Sequence, residues 1–117
     1  MNIAPRSQEI VLKRTTDAAV TTNITTDYID IMQDKTLGIQ IHTSAADTLT
    51  CAATVEVSNF DPTLGYFDTF PVSTIAITTD GSSSWNIADC GFKWVRVRLN
   101  VSAGTAKFAV VVVKKSI

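Results

Sequence analysis

The 117-residue sequence predicts an all-β antiparallel β-sandwich, jelly-roll-like, with an extended N-terminal arm. Three observations lead to that class. Thr, Val, Ser and Ile dominate the chain, and β-branched side chains suit a pleated, half-buried surface better than a helix. Several segments alternate apolar and polar residues with period two, as a strand with one buried face does. Turn signals recur about every ten residues, the spacing of a sandwich or small barrel.

In chain order, residues 1–16 hold no period: Ile3, Ile10, Val11 and Leu12 are scattered among Pro5, Arg6, Glu9, Lys13 and Arg14. They read as an arm that pairs with a sheet edge or a neighbouring subunit, followed by a sandwich domain over 17–117. Strands are expected near 18–22, 26–31, 36–43, 49–58, 66–70, 73–78, 82–87, 92–101 and 105–114. The clearest is 49–58, where Leu49, Cys51, Ala53, Val55 and Val57 share one face and Thr50, Thr54, Glu56 and Ser58 the other. Val95, Val97, Leu99 and Val101 alternate likewise with Trp94, Arg96, Arg98 and Asn100. Expected turns are Ser44-Ala45-Ala46-Asp47, the loop 59–65 with Pro62 and Gly65, Thr79-Asp80-Gly81-Ser82 and Ser102-Ala103-Gly104-Thr105. The expected core is Leu49, Cys51, Val55, Val57, Ile75, Ile77, Trp85, Val95, Val97 and Leu99.

Composition narrows the function. Hydrophobic residues make up 45% and charged residues 18%, and mean hydropathy is +0.19, so the chain is an ordered globular domain. At 12.6 kDa it has room for one core. Ten Lys+Arg against eleven Asp+Glu give a net charge of −1, which argues against a general polyanion binder; no nucleic-acid partner is expected. The apolar run 108–113 is far shorter than the roughly 20 residues of a membrane helix, and no membrane partner is expected. Met1-Asn2-Ile3-Ala4-Pro5-Arg6 lacks the apolar centre of a secretion signal. Cys51 and Cys90 are expected to be unpaired, buried thiols.

Catalytic material is sparse. His42 is the one histidine and falls on the outer side of its strand. Asp47, Asp61, Asp68, Asp80 and Asp89 sit where turns are expected, which accounts for them without an acid/base pair. There is no Gly-x-Ser-x-Gly, phosphate loop or Cys-x-x-Cys. The chain reads as a non-enzyme with no catalytic residue, metal site or cofactor.

Two surface features remain. Trp94, Arg96 and Arg98 line the face opposite Val95, Val97 and Leu99, the composition of an interface hot spot. The run 108–113 is apolar on both faces, where a solvated antiparallel strand alternates. A domain this small rarely has a third layer, so a partner subunit, in a homo-oligomer or a virion lattice, is expected to cover one side, with Phe108, Val110 and Val112 as candidate contacts.

Several stretches between Leu49 and Lys114 form a recognisable series: Val55-Glu56-Val57-Ser58-Asn59, Tyr66-Phe67-Asp68 and Pro71-Val72-Ser73-Thr74-Ile75-Ala76-Ile77. The most specific is Ser84-Trp85-Asn86-Ile87-Ala88-Asp89-Cys90-Gly91-Phe92-Lys93-Trp94-Val95-Arg96-Val97-Arg98, with the Ser102-Ala103-Gly104-Thr105-Ala106 turn after it. In these stretches the chain resembles a family of small β-sandwich virion proteins of tailed phages. The resemblance implies a capsid decoration (cement) or head-fibre-type protein. Its partner would be the major capsid protein or another virion protein. It would be made in the host cytoplasm and reside on the capsid surface. A tail- or fibre-associated carbohydrate-binding module, with Trp85 or Trp94 as stacking platform, is the alternative.

Overall fold

The computed structural model describes residues 9–15, 21–31, 36–88 and 90–115. Among the described residues there are eight strands, β1 (Glu9–Thr15), β2 (Ile24–Thr25), β3 (Ile29–Asp30), β4 (Thr36–Ser58), β5 (Asp68–Thr69), β6 (Ile75–Ile77), β7 (Gly81–Ala88) and β8 (Trp94–Lys115). One 3-10 turn, Pro62–Leu64, interrupts them. All pairings are antiparallel. The protein is an all-β sandwich.

Its frame is the β4–β8 ladder. At about 3.3 Å per residue, 23 straight residues would run about 76 Å. The longest dimension of the molecule is 53 Å, so β4 must bend. The bend lies where the register slips, between Ser44 and Cys51 on β4 and facing Val101 to Lys107 on β8. Ala45 and Thr48 have positive φ there, as does Gly104 across the ladder. On one side of the bend β4 runs between β7 and β8, and β1 completes that layer beyond β8. On the other side β4 runs between β8 and the short β5 and β6, with β2 and β3 along β8. Two layers thus share two strands.

The expected turns at 44–47 and 102–105 are therefore corrected: they are paired bulges inside continuous strands. Small and polar residues serve a bulge as well as a reversal, because both need relaxed backbone geometry. Residues 79–82 likewise carry the chain from β6 in one layer to β7 in the other, since both strands pair with β4 and not with each other. Asp80 fastens this corner to the bend, its Oδ1 accepting from the Ala46 N–H at 2.8 Å. Of the expected N-terminal arm, 9–15 is an edge strand on β8; 1–8 and 16 lie outside the described residues. So do 18–20 of the expected strand 18–22, while 21 and 22 are not in a strand.

One core fills the space between the layers. Leu49, Cys51, Val55, Val57, Ile77, Trp85, Val95, Val97 and Leu99 are buried in it and Ile75 packs at its margin. Leu37, Ile39, Ile41, Ile87, Phe108, Val110 and Val112 supply the other half. The Trp85 indole N–H donates to the Ser73 carbonyl at 2.8 Å, so its polar atom is satisfied on burial.

The bulge also settles the apolar run 108–113. In the N-terminal half of β8, which pairs with β4 beyond the bend, the buried residues are odd-numbered, Val95 to Val101; in its C-terminal half, which pairs with β4 before the bend, they are even-numbered, Ala106 to Val112. One inserted residue reverses every side chain that follows. Phe108, Val110 and Val112 are almost fully enclosed by the chain's own core, so the expectation that they contact a neighbouring copy is corrected. Ala109, Val111 and Val113 form the half-buried outer side.

Candidate functional site

The outer face of the layer beyond the bend gathers aromatic rings and charges. Glu56 on β4 lies directly opposite Arg96 on β8, and Arg96 Nε donates to Glu56 Oε1 at 2.7 Å. The guanidinium carbon also sits 4.0 Å from the centre of the Phe67 ring. Arg96 is thus engaged by a carboxylate and a ring at once, both from its own chain. One register step away, Trp94 opposes Ser58 and Asp30. Tyr28 meets Trp94 edge-to-face at 5.4 Å and lies 6.4 Å from Phe67. Lys93 Nζ stands 4.9 Å from the Trp94 ring and 3.1 Å from Asp30 Oδ2. Arg98 turns aside, its Nε donating to Asn100 Oδ1 at 2.7 Å. Trp94, Arg96 and Arg98 are all half-buried, so this cluster is a rigid base rather than a set of free anchors.

The free surface is the loop beside it. Asp61 caps the 3-10 turn, Oδ1 accepting from the Thr63 N–H at 3.0 Å and from the Thr63 hydroxyl at 2.7 Å. Those hydrogen bonds hold the Asp61 carboxyl below its ordinary range. Gly65, at φ 75°, closes the turn with its N–H donating to the Pro62 carbonyl. Ser58 Oγ accepts from the Phe60 N–H, and Asn59 Oδ1 accepts from the Lys93 N–H at 2.9 Å, tying the loop to the start of β8. On this braced loop Phe60, Leu64 and Tyr66 are 59%, 57% and 60% exposed. Phe60 and Tyr66 meet edge-to-face at 5.5 Å. Tyr28, 41% exposed, extends the patch.

Sequence reasoning reached Trp94 and Arg96 but missed the loop. The available signal was Phe60, Leu64 and Tyr66 standing beside Pro62 and Gly65, where a solvated loop favours polar residues. The other expected positions fall elsewhere. Trp85 is core and cannot stack on a glycan without the domain opening. His42 is exposed, its Nδ1 3.1 Å from the Ser82 hydroxyl. Cys51 and Cys90 are both free, Cys51 buried and Cys90 half-buried. Burial pushes the Cys51 thiol up to about 11 and raises Cys90 as well, the opposite of an activated nucleophile. Among the described residues no group of three or more His, Cys, Asp or Glu side chains is placed to hold a metal ion, and no helix is long and apolar enough to cross a membrane.

No protein-family model matches the sequence, and no curated protein sequence matches it. Solved structures do match in fold. The SPBc2 prophage-derived protein YomS is similar over 95% of this chain and 99% of its own, at 12% identity and a TM-score of 0.51. A structure from work on CBM4 structure and function is similar over 92% of this chain and 78% of its own, at 16% identity and a TM-score of 0.53. A protein of the Bacillus endospore appendages, disulfide-linked pili, is similar over 98% of both chains, at 17% identity and a TM-score of 0.53. What these likenesses share with the chain is the fold.

Proposed function

We propose that this chain is a non-enzymatic structural protein of a phage virion, a capsid decoration (cement) subunit that docks on the major capsid protein through the loop carrying Phe60, Leu64 and Tyr66. The exposure of those three side chains on a loop held at its start by the Ser58 and Asn59 hydrogen bonds and at its end by the pairing of β5 with β4 carries the reading. Rigid apolar side chains lose little entropy on docking, and a few such anchors supply most of an interface's energy. The Glu56–Arg96 pair and the Trp94–Tyr28 contact hold the base of the patch in shape. The near-neutral net charge lets many copies sit close together. Folds shared with a prophage-derived protein and with an appendage pilus protein support a place in an extracellular or virion assembly.

A second reading, a carbohydrate-binding module on a tail or fibre, draws on the exposed rings of Tyr28, Phe60 and Tyr66 and on the CBM4-like fold. The ring geometry favours the first. Phe60 and Tyr66 stand at 86° to each other, a wedge that fits a cleft between side chains, whereas a sugar face stacks on a flat ring.

Binding of the full chain to purified particles stripped of it tests the proposal. The Phe60→Ser/Tyr66→Ser variant should fold normally and lose about 2–4 kcal/mol of particle affinity, with hundreds of wild-type copies bound per particle. Unchanged occupancy by the variant, or saturation at a few copies, would refute the capsid role. Quenching of tryptophan emission by oligosaccharides, lost in the same variant, would establish the glycan reading instead.

A further inference from the structure

The two edges of the layer before the bend are built differently. β1 carries Glu9, Lys13 and Arg14, and its register slips between Ile10 and Leu12. Charges and irregularity are the usual protection of an edge strand against pairing. β7 has neither. Its eight residues, Gly81-Ser82-Ser83-Ser84-Trp85-Asn86-Ile87-Ala88, include no charge and no proline, and they pair with residues 36–43 of β4 without a slip. Among the described residues β7 pairs with β4 alone, and no loop backbone bonds to its other side. Among the described residues a neutral, unslipped row of backbone donors and acceptors is thereby left open.

We infer that this edge joins two copies of the chain, β7 pairing antiparallel with β7 of a second copy about a two-fold axis at Ser84. Strand pairing keeps inner residues opposite inner residues, so the axis must fall on a residue and not between two. An axis at Trp85 would set two indoles directly against each other. An axis at Ser84 sets Ser84 against its own copy and Ser82 against Asn86, all exposed polar side chains that hydrogen-bond across strands. Each copy then presents the same patch to the other, and the contact closes as a dimer. The uncharged strand meets no like charge from its twin. The two layers before the bend become one continuous sheet, and the Phe60–Tyr66 loop, which is carried by the other layer, stays free.

Sedimentation velocity and light scattering on the full chain test this. The wild type should run at twice the 12.6 kDa of the chain, with β7 amides protected from hydrogen exchange in a concentration-dependent way. Ser84→Lys places two ammonium groups across the axis and should raise the dimer Kd by about tenfold or more, as should Ser84→Asp. Mixing the two variants in equal amounts should restore the dimer, because the charges then oppose. Ser102→Lys, at the bend, should leave it unchanged. A monomer at every concentration, a dimer indifferent to Ser84→Lys, no rescue on mixing, or masses that climb beyond two copies as β7 met β1 of the next copy would each overturn the inference. Phe60→Ser/Tyr66→Ser should dimerise like the wild type, so loss of docking and loss of pairing are read separately.

Discussion

The layers on either side of the bend are made from the same two strands and share one core, yet their outer faces have little in common. Before the bend, the face of β7, β4 and β8 presents Ser84, Asn86, Gly38, Gln40, Val111 and Val113, which line a shallow groove. Its residues are small or neutral, and a Cβ built on Gly38 would meet nothing within 4 Å. Beyond the bend, the same ladder presents Glu56 and Arg96 in an ion pair beneath Phe67, with Trp94 against Tyr28 and Lys93. Burial constrains every second residue alike in both layers, so the alternate positions are where the two diverge. One face is specialised through rings held by cross-strand contacts, and the other stays plain beside the neutral β7 edge. Inner positions make the fold; outer ones make the difference.

Which side of β8 faces the core can be tested directly. Phe108 is 2% exposed, and Phe108→Ala leaves a cavity in the core, at a cost of about 3–5 kcal/mol. Val111, its outward neighbour on the same strand, should cost under about 1 kcal/mol as Val111→Ala. Urea unfolding of the two variants checks it. Equal costs would mean that the inward set is not confined to the even-numbered residues and that both faces are covered.

That inward set was only half legible in the sequence. At 49–58 and 95–101 apolar and polar residues alternate cleanly, and the buried face can be read off directly. At 108–113 every residue is apolar, so the pattern holds no parity, and the one-residue slip that sets it lies upstream among Ser102, Ala103 and Gly104. Those residues carry the same signature whether the chain reverses or bulges. The site was harder still. Glu56 meets Arg96 across 40 positions, and Tyr28 reaches Trp94 only because β3 pairs with β8. Such meetings are properties of topology, which local pattern does not encode.

The next largest effect sharpens the role of the bend that joins the layers. Gly104 has φ 74°, and a Cβ there would run into the carbonyl oxygens of Asp47 and Thr48 on the facing strand. The obstacle is backbone, which cannot swing aside. Gly104→Ala should therefore destabilise the protein by about 3 kcal/mol, combining left-handed strain with a steric clash. Because both layers hang on this crossing, thermal unfolding should move as one transition. A variant as stable as the wild type would show that the strands do not approach so closely at the bend.

The smallest effect concerns Cys51, the first residue of β4 past the bend and 3% exposed. Its folded thiol titrates near 11 against an ordinary 9.0, because burial disfavours the thiolate. Below pH 9 the thiol is protonated in both states, and burying it neutral contributes fully. From pH 9 upward the unfolded chain loses the proton while the folded one keeps it, so the unfolded state binds fewer protons and stability falls as pH rises. The fall ends near pH 11, where the folded thiol also ionises. Cys90, raised in the same direction, adds to the slope, so it is not all due to Cys51. Cys51→Ala should flatten the decline in unfolding free energy between pH 9 and 11 while Cys90→Ala, at a half-buried position, flattens it less. Parallel wild-type and Cys51→Ala curves across that window would show that this thiol meets water in the folded protein, and that the core is open just past the bend.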